Sequence, residues 1–237
     1  MSLQSVTTGL SPRYYWRLNE TSGTVAVDTM GVHNGTYFGG VTLGQPGITN
    51  GDTSAPLFNG TTGYVKTNIP GADPLMTTST ISISCWWKPS AAALTTNNGF
   101  FGNQPNVSST YFYTNASGSG LVFSCGGGGP TATTAAFSTA NIYHIAVTAP
   151  NGQLYLNGVA VGTATAIATG ATPSGLFTIG ASNGGVFFLA GVLSEVAVFS
   201  TQLTAANILA IYNAGIAPNP VITANALGPY ALLLELI

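Results

Sequence analysis

The chain has 237 residues, of which only 4% are charged: four Lys or Arg and six Asp or Glu, for a formal net charge of -2. A soluble domain usually carries about 25% charged residues. Four cations cannot neutralise a run of phosphates, so the composition argues against nucleic-acid binding. A surface with so little charge hardly repels its own copies, which fits either a neutral secreted domain or a subunit of an assembly.

The first residues, MSLQSVTTGLSPRYYW, show no basic segment followed by an apolar one, so we expect no signal peptide there. No apolar run reaches the roughly 18 residues of a membrane span. Cys85 and Cys125 are the only two cysteines. Two cysteines in a chain of this length do not make a disulfide framework, and we expect two buried thiols.

Short alternating runs separated by Gly, Asn and Pro predict roughly a dozen β-strands. In ISISCWWK (81–88), the odd-numbered residues from Ile81 to Trp87 share one face and the even-numbered residues share the other. The other candidate strands are, in chain order, 14–17, 56–59, 64–67, 111–114, 121–125, 143–148, 153–156, 159–163, 176–179 and 192–199.

Local signals near the end of this series predict two tight turns and one helix. NGQLYLNGVAVGT (151–163) contains two Asn-Gly pairs, which favour two-residue hairpin turns because both central positions tolerate positive φ. In LTAANILAIYNAG (203–215), Thr204 is a candidate N-cap and Gly215 a candidate left-handed C-terminal residue. APNP (217–220) then interrupts the chain.

Seven segments occur in the order found in one family: YWRLNETSG (15–23), HNGTY (33–37), APLFNGTTGYVKT (55–67), TISISCWWKPS (80–90), YHIAVTAPNGQLYLNGVAVGT (143–163), FTIGASNGGVFFLAGVLSEVAVFS (177–200) and TQLTAANILAIYNAG (201–215). Over about residues 13–215 the chain resembles laminin G-like domains of the concanavalin A-like lectin/glucanase superfamily. The resemblance implies an all-β jelly roll of two antiparallel sheets with one short C-terminal helix.

That fold divides the chain into an N-terminal arm (1–12), the jelly-roll domain (13–215) and an apolar C-terminal tail (216–237). Large apolar residues of the strands are then expected in the core, and the candidates are Trp16, Phe58, Trp87, Val147, Leu156 and Phe199.

The glucanases of this superfamily carry paired carboxylates on an E-x-D-x-x-E strand, and glycoside hydrolysis requires such a pair. No two acidic residues here lie within five positions of each other, and Glu195 is alone on its strand. His33 and His144 are more typical of structural histidines than of general bases. We therefore predict no enzymatic activity, no catalytic residue and no cofactor.

Several relatives bind Ca²⁺ at the rim of the sandwich through Asp, Asn and backbone oxygens. The present sequence has Asn59, Asn157 and Ser194 where the family commonly has Asp. Asp28 and Asp52 remain, which are too few for a tight site, so we predict no metal ligand.

Glycan binding is the usual non-enzymatic role of the family, because exposed aromatic rings stack on sugars and amides bind hydroxyl groups. The candidate loops are GNQPNVSSTYFYTN (102–115) and GASNGGVFF (180–188). Their candidate contact residues are Asn103, Tyr111, Tyr113 and Asn183.

The sequence favours two functions. The first is a structural virion protein, a decoration or head-fibre subunit of a bacteriophage, with other copies of itself and the major capsid protein as partners. The alternative is a glycan-binding adhesin or tail lectin that recognises a host-surface glycan. For the first, the virion is the expected location, and the expected assembly contact is the apolar end of the tail: Tyr230, Leu232, Leu233, Leu234, Leu236 and Ile237. We do not expect the protein to bind a membrane.

Overall fold

The computed structural model describes residues 1–70, 73, 80–103, 110–125, 128–167, 176–181 and 187–216, except for the side chain of Cys125. These residues form two antiparallel β-sheets of eight strands each, stacked face to face. The predicted all-β jelly roll is confirmed.

Sheet A has the strand order β14-β13-β12-β7-β16-β5-β4, and β1 pairs with β16 beside β5. Its strands are β1 (Tyr14–Trp16), β4 (Val41–Pro46), β5 (Ser54–Asn59), β7 (Ser82–Pro89), β12 (Tyr143–Thr148), β13 (Gln153–Leu156), β14 (Val159–Val161) and β16 (Ala190–Phe199).

Sheet B has the strand order β11-β10-β9-β8-β15-β6-β3-β2. Its strands are β2 (Val25–Ala26), β3 (Gly35–Phe38), β6 (Tyr64–Pro70), β8 (Asn98–Asn103), β9 (Thr110–Thr114), β10 (Gly120–Cys125), β11 (Thr131–Thr133) and β15 (Leu176–Ile179). A short 3-10 helix (Ala91–Thr95) follows β7.

The two sheets enclose a core rich in aromatic rings. Trp87 lies at its centre, with edge-to-face contacts to Phe100 and Phe137 at centroid distances of 5.2 and 5.3 Å. Ile83, Cys85 and Trp87 face this core, as the alternation in β7 predicts. Cys85 is a free, buried thiol, and burial raises its pKa. The side chain of Cys125 lies outside the described residues.

Most of the predicted core residues take part in this core, and one lies elsewhere. Trp16, Phe58 and Val147 are buried between the sheets, and Leu156 packs against them at the edge. Phe199 is fully buried, but on the outer face of sheet A, because β16 bulges between Ser194 and Ala197 and residues from Val196 to Phe199 continue the alternation.

Two helices cover the outer face of sheet A, which we call the covered face. Helix α1 (Leu3–Gly9) is capped by Ser2, whose Oγ accepts a hydrogen bond from the Ser5 amide. Leu3 of this helix is buried. Helix α2 (Ala205–Ile216) begins after Thr204, whose Oγ1 accepts from the Asn207 amide at 3.2 Å. Both helices join a second apolar cluster.

This cluster includes residues from the segment 1–12, which the sequence analysis separated from the jelly-roll domain as an N-terminal arm. Leu3 is 1% exposed and packs in the same cluster as Trp86 and Ile208. The apolar side chains of this short segment pack on the chain's own sheet, which removes their surface from water.

Gly215 also differs from its predicted role as a left-handed residue after the helix. It lies within α2, where an added Cβ would come within 2.1 Å of the Trp86 indole. Glycine is therefore required for the close approach of the helix to the sheet. The carbonyl of Gly215 accepts from the Asn50 amide at 2.8 Å, which closes the helix end.

Both Asn-Gly pairs lie in hairpin connections, but only the second forms the predicted two-residue turn, because four residues (149–152) connect β12 to β13. The first connects β12 to β13 and the second connects β13 to β14, and the three strands are neighbours in sheet A. Asn157 and Gly158 adopt φ angles of 51° and 79°, as a two-residue turn of this kind requires. The Asn157 Oδ1 also accepts a hydrogen bond from the His144 amide at 2.9 Å.

Candidate functional site

The outer face of sheet B carries exposed aromatic rings, and within the described residues no helix lies over it. We call it the open face. In β6, Val65 and Ile69 point into the core, so Tyr64 and Lys66 point outward and are partly exposed. The alternation that builds the core thus places an aromatic ring and a cation on the surface.

Strand β9 repeats this arrangement at the other side of the sheet. Phe112 is fully buried between the sheets, whereas Tyr111 and Tyr113 face outward and are partly exposed. Their ring centroids lie 5.6 Å apart. Burial, with a smaller contribution from Tyr111, raises the pKa of Tyr113 above its ordinary value of 10.0. The phenol therefore stays neutral at physiological pH and can donate a hydrogen bond.

The dipeptide Phe187–Phe188 joins these two groups of rings. The Phe187 ring lies 5.0 Å from that of Tyr113, and the Phe188 ring lies 6.4 Å from that of Tyr64. The backbone is anchored here, because the Phe187 carbonyl accepts a hydrogen bond from the Gly99 amide at 2.9 Å. This hydrogen bond ties the segment that carries both rings to β8 of sheet B.

Phe38 extends the row onto β3. It is the cross-strand partner of Tyr64, and the two rings stack at 5.3 Å with an interplanar angle of 15°. Phe38 is 41% exposed. The six rings, which we call the aromatic row, are Phe38, Tyr64, Tyr111, Tyr113, Phe187 and Phe188.

The aromatic row crosses five neighbouring strands, from β9 through β8, β15 and β6 to β3. At about 4.8 Å between strands, this corresponds to roughly 19 Å. Within the described residues, the hydroxyl groups of Tyr64, Tyr111 and Tyr113 make no hydrogen bond. Aromatic rings in such a row can stack on the apolar faces of ring-shaped ligands. The tyrosine hydroxyl groups can then hydrogen-bond to polar groups at the edges of those ligands.

The structure separates the four predicted glycan contacts. Tyr111 and Tyr113 belong to the aromatic row, and the predicted loops 102–115 and 180–188 meet where Tyr113 contacts Phe187. Asn103 is fully buried, and its Oδ1 accepts a hydrogen bond from the Thr110 amide at 2.7 Å. Asn103 therefore binds the backbone at the start of β9, and its side chain is not exposed at the surface. Asn183 lies outside the described residues.

Phe38 and Tyr64 are not among the glycan contacts that the sequence predicts, and Phe187 and Phe188 are included only as part of the candidate loop 180–188. The outward position of Tyr64 follows from the alternation in YVKTNIP once Val65 and Ile69 are assigned to the core. Phe38 and Phe188 carried no comparable signal, because their place in the row depends on the order of the strands. The predicted assembly contacts Tyr230, Leu232, Leu233, Leu234, Leu236 and Ile237 lie outside the described residues, so the virion role stays a prediction.

The acidic residues considered for Ca²⁺ are occupied by the fold. The Asp28 carboxylate accepts hydrogen bonds from four backbone amides, those of Tyr15, Met30, Val32 and His33, at 2.9–3.0 Å. Asp52 pairs with Arg17 at 3.1 Å. The part of the chain that the structure describes contains no group of three or more His, Cys, Asp or Glu that could hold a metal ion.

Asn59 and Asn157 also have structural partners. The Asn59 Oδ1 accepts hydrogen bonds from the amides of Thr61, Thr62 and Gly63 at 3.0–3.1 Å, which organises the turn between β5 and β6. An asparagine oxygen with three amide donors is poorly placed to bind a cation, because the donors neutralise its lone pairs. Ser194 is buried on the covered face.

The two histidines have structural surroundings. His144 is fully buried in contact with the rings of Trp86 and Tyr212, with its Nε2 2.8 Å from the Ser84 Oγ. Burial lowers the pKa of His144 to about 3, so the ring is neutral. His33 lies beside Tyr14, and its backbone carbonyl accepts from the Trp16 Nε1 at 3.0 Å.

The remaining cluster of titratable groups lies on the covered face. Glu195, at the bulge of β16 with φ 55°, accepts hydrogen bonds from the Tyr15 hydroxyl and, at 3.0 Å, from the Arg17 Nε. Arg17 also pairs with Asp52. The side chains of Asp52 and Glu195 are 0% and 2% exposed, so a glycosidic bond cannot reach them from solvent. The cluster fixes β1, β16 and the segment around Asp52 to one another.

Within the described residues, no helix has the length and apolar character needed to cross a membrane.

The sequence is similar to one known protein family. A family model, Laminin_G_3, described as "Concanavalin A-like lectin/glucanases superfamily", matches residues 59–209. None of the curated proteins compared with the sequence matches it.

Several solved structures share the fold. Trypanosoma rangeli sialidase matches with a TM-score of 0.60 at 13% identity, over 84% of this chain and 32% of that one. A mutant of that enzyme displaying trans-sialidase activity matches with a TM-score of 0.65 at 14% identity, over 88% and 33%. The chain thus spans about a third of the length of these sialidases.

Domain 4 of a GH43 extracellular arabinanase from Geobacillus stearothermophilus, solved in complex with arabinotriose, matches with a TM-score of 0.60 at 20% identity. That match covers 85% of this chain and 98% of the arabinanase domain. At these identities the likeness concerns the fold alone.

Proposed function

Because the chain belongs to the concanavalin A-like lectin/glucanase superfamily, we propose that it is a carbohydrate-binding protein whose aromatic row stacks on the sugar rings of an extended glycan. The observation that carries the proposal is the row itself. Four rings on β3, β6 and β9 and two rings on the segment before β16, linked by contacts of 5.0–6.4 Å, lie on a sheet face that no described helix covers. Contiguous exposed apolar surface of this kind marks interaction sites.

The dimensions of the row support an oligosaccharide or polysaccharide rather than a single sugar. Its length of roughly 19 Å, from the spacing of five strands, exceeds what one sugar ring covers. Contacts between neighbouring rings restrain their side chains before any ligand arrives, so binding orders few side chains and keeps more of its contact energy. The arabinanase domain solved with arabinotriose, 98% of which the match covers, is a precedent for a glycan complex of this fold.

Carbohydrate binding and the virion role predicted from the sequence do not exclude each other, because a lectin domain carried on a particle would serve both. The proposal concerns the binding surface alone and assigns no catalytic residue.

An array of polysaccharides and oligosaccharides tests the proposal. We expect the full chain to bind a subset of the array, and Tyr64→Ala and Tyr113→Ala each to weaken binding on the order of tenfold, the value of one aromatic stacking contact. Val159→Ala is the control, since Val159 is 63% exposed on β14 of the other sheet.

Two results would contradict the proposal. One is a folded protein that binds no glycan on the array. The other is binding that Tyr64→Ala and Tyr113→Ala leave as strong as Val159→Ala does, which would place the site elsewhere on the molecule.

A further inference from the structure

Lys66 stands on the open face beside the aromatic row. It lies two residues after Tyr64 on the outward side of β6, so the two side chains leave the strand about 7 Å apart. Its cross-strand neighbours are Thr36 on β3 and Thr178 on β15, both uncharged. Among the described residues, Lys66 is the one Lys or Arg on the outer surface of sheet B. Arg17 and Lys88 lie on the side of sheet A, and Arg13 packs on the Tyr14 ring.

Within the described residues, Lys66 makes no ion pair. The five described carboxylates are engaged elsewhere: Glu20 by the Tyr37 hydroxyl, Asp28 by backbone amides, Asp52 and Glu195 by Arg17, and Asp73 by the Tyr14 hydroxyl. The chain has only six acidic residues, and none of the five described carboxylates supplies a counter-charge to the Lys66 ammonium group.

Building on the proposed function, we infer that the glycan bound by the aromatic row carries an anionic group, and that the Lys66 Nζ binds this group. The stacking surface recognises the sugar rings and has no charge of its own. The ammonium group adds a charge-assisted hydrogen bond that only an acidic sugar can accept. Carboxylate, sulfate and phosphate substituents share this chemistry.

The distance between charge and rings suits a substituent on a stacked sugar. At physiological ionic strength, charges act over about 8 Å, which is close to the separation of Lys66 from Tyr64. A uronate or a sulfated sugar lying on Tyr64 would therefore bring its charge into the range of Lys66. An uncharged sugar at the same position would leave the ammonium group to solvent.

Matched pairs of polysaccharides test the inference. Polygalacturonate and alginate are compared with their carboxyl-reduced forms, dextran sulfate with dextran, and phosphomannan with mannan. Binding of the full chain is measured at low and at high NaCl. Lys66→Met keeps the apolar stem and removes the charge. Lys88→Met is the matched control, because Lys88 is exposed on β7 of the other sheet.

We expect the acidic member of at least one pair to bind up to about fivefold more tightly than its neutral member, as a single exposed ion pair allows. High salt and Lys66→Met should each abolish that preference, and Lys88→Met should keep it. The pair that shows the preference identifies the substituent as carboxylate, sulfate or phosphate.

The inference is overturned if neutral and acidic members bind equally, or if the preference survives in Lys66→Met. In both cases binding by the aromatic row, and with it the proposed function, would stand. Absence of binding to every polysaccharide, acidic and neutral, would overturn the proposed function and this inference together.

Discussion

The outer faces of the two sheets carry similar side chains and have opposite fates. On the covered face, Trp86 stacks on Tyr212 of α2 at 5.9 Å and is 1% exposed. On the open face, Tyr64 stacks on Phe38 at 5.3 Å, and both rings keep part of their surface in solvent. The outward aromatic residues of this sandwich are therefore structural on the face that helices cover and available for binding on the face that no described helix covers.

The faces also differ in how they treat charge. The covered face buries Glu195 and Asp52 around Arg17, with every member hydrogen-bonded. The open face presents Lys66 in partly exposed form, next to rings and threonines. The buried groups are tolerated because each of them is hydrogen-bonded, whereas Lys66 has no ion-pair partner among the described residues.

The largest expected effect is on stability. Trp86→Ala should lower the free energy of unfolding by about 3–5 kcal/mol, because it leaves a cavity between sheet A and α2. Tyr64→Ala, on the open face, should cost less than about 1 kcal/mol. Urea unfolding of both variants measures the difference, and equal losses would show that the two faces are not distinct in the way described.

A second substitution tests the fit of α2 against the covered face. Gly215→Ala places a Cβ within 2.1 Å of the Trp86 ring and should cost about 1–3 kcal/mol through overpacking. Gly9→Ala is the matched control, since nothing lies within 4 Å of a Cβ built at that helical position. Thermal melts of both variants are the measurement. A Gly215→Ala protein as stable as Gly9→Ala would mean that α2 packs less closely on the sheet.

The charges of the covered face predict a dependence of stability on pH. Burial raises the pKa of Glu195 from 4.5 to about 8, so the folded protein keeps a proton that the unfolded chain has lost. This contribution is fully present below pH 4.5 and is lost as the pH rises to 8. Burial of Asp52 raises its pKa and acts in the same direction, whereas Arg17 favours the ionised carboxylates and reduces the effect.

His144 acts in the opposite direction at lower pH. Burial lowers its pKa from 6.5 to about 3, so its contribution is present above pH 6.5 and is lost as the pH falls toward 3. The two effects oppose each other between pH 4.5 and 6.5, and a net fall in stability remains between pH 6.5 and 8. Urea unfolding across this range should show that fall in the native protein and not in Glu195→Gln. A fall of the same size in the variant would rule out Glu195 as its cause.

The smallest expected effect is that of Ca²⁺. Since backbone amides occupy Asp28 and Arg17 occupies Asp52, excess Ca²⁺ should leave the melting temperature where a chelator leaves it. A site filled at 100 times its dissociation constant would add about 2.7 kcal/mol, which a thermal melt resolves easily. Such a rise in melting temperature would contradict the prediction of no metal site.

Patterns within a few residues of one another were sufficient for much of the fold. The alternation in ISISCWWK placed Cys85 and Trp87 in the core, and the Asn-Gly pairs located both turns of the β12–β14 hairpins. Thr204 marked the start of α2. Each of these signals is local, because a period of two residues, a turn or a helix cap involves only neighbours in the chain. Strands β2, β3, β4, β8 and β11 are not among those that the sequence predicts. Strands β2 and β11 have only two and three residues, too few to show a period, whereas β4 and β8 contain Gly and Pro or Asn, which are depleted in strands.

The sequence by itself therefore determined the all-β class, the family resemblance, the two tyrosines of β9 and the absence of a paired catalytic carboxylate motif. Only the tertiary structure decided which outer face stays open, that Asn103 is buried, and that residues 1–12 pack on the chain's own sheet. It also decided that Phe38, Tyr64 and Phe188 form one row with Tyr113. The physical reason is that the contacts of the row join residues up to 124 positions apart, brought together by strand order, and local sequence patterns do not encode strand order.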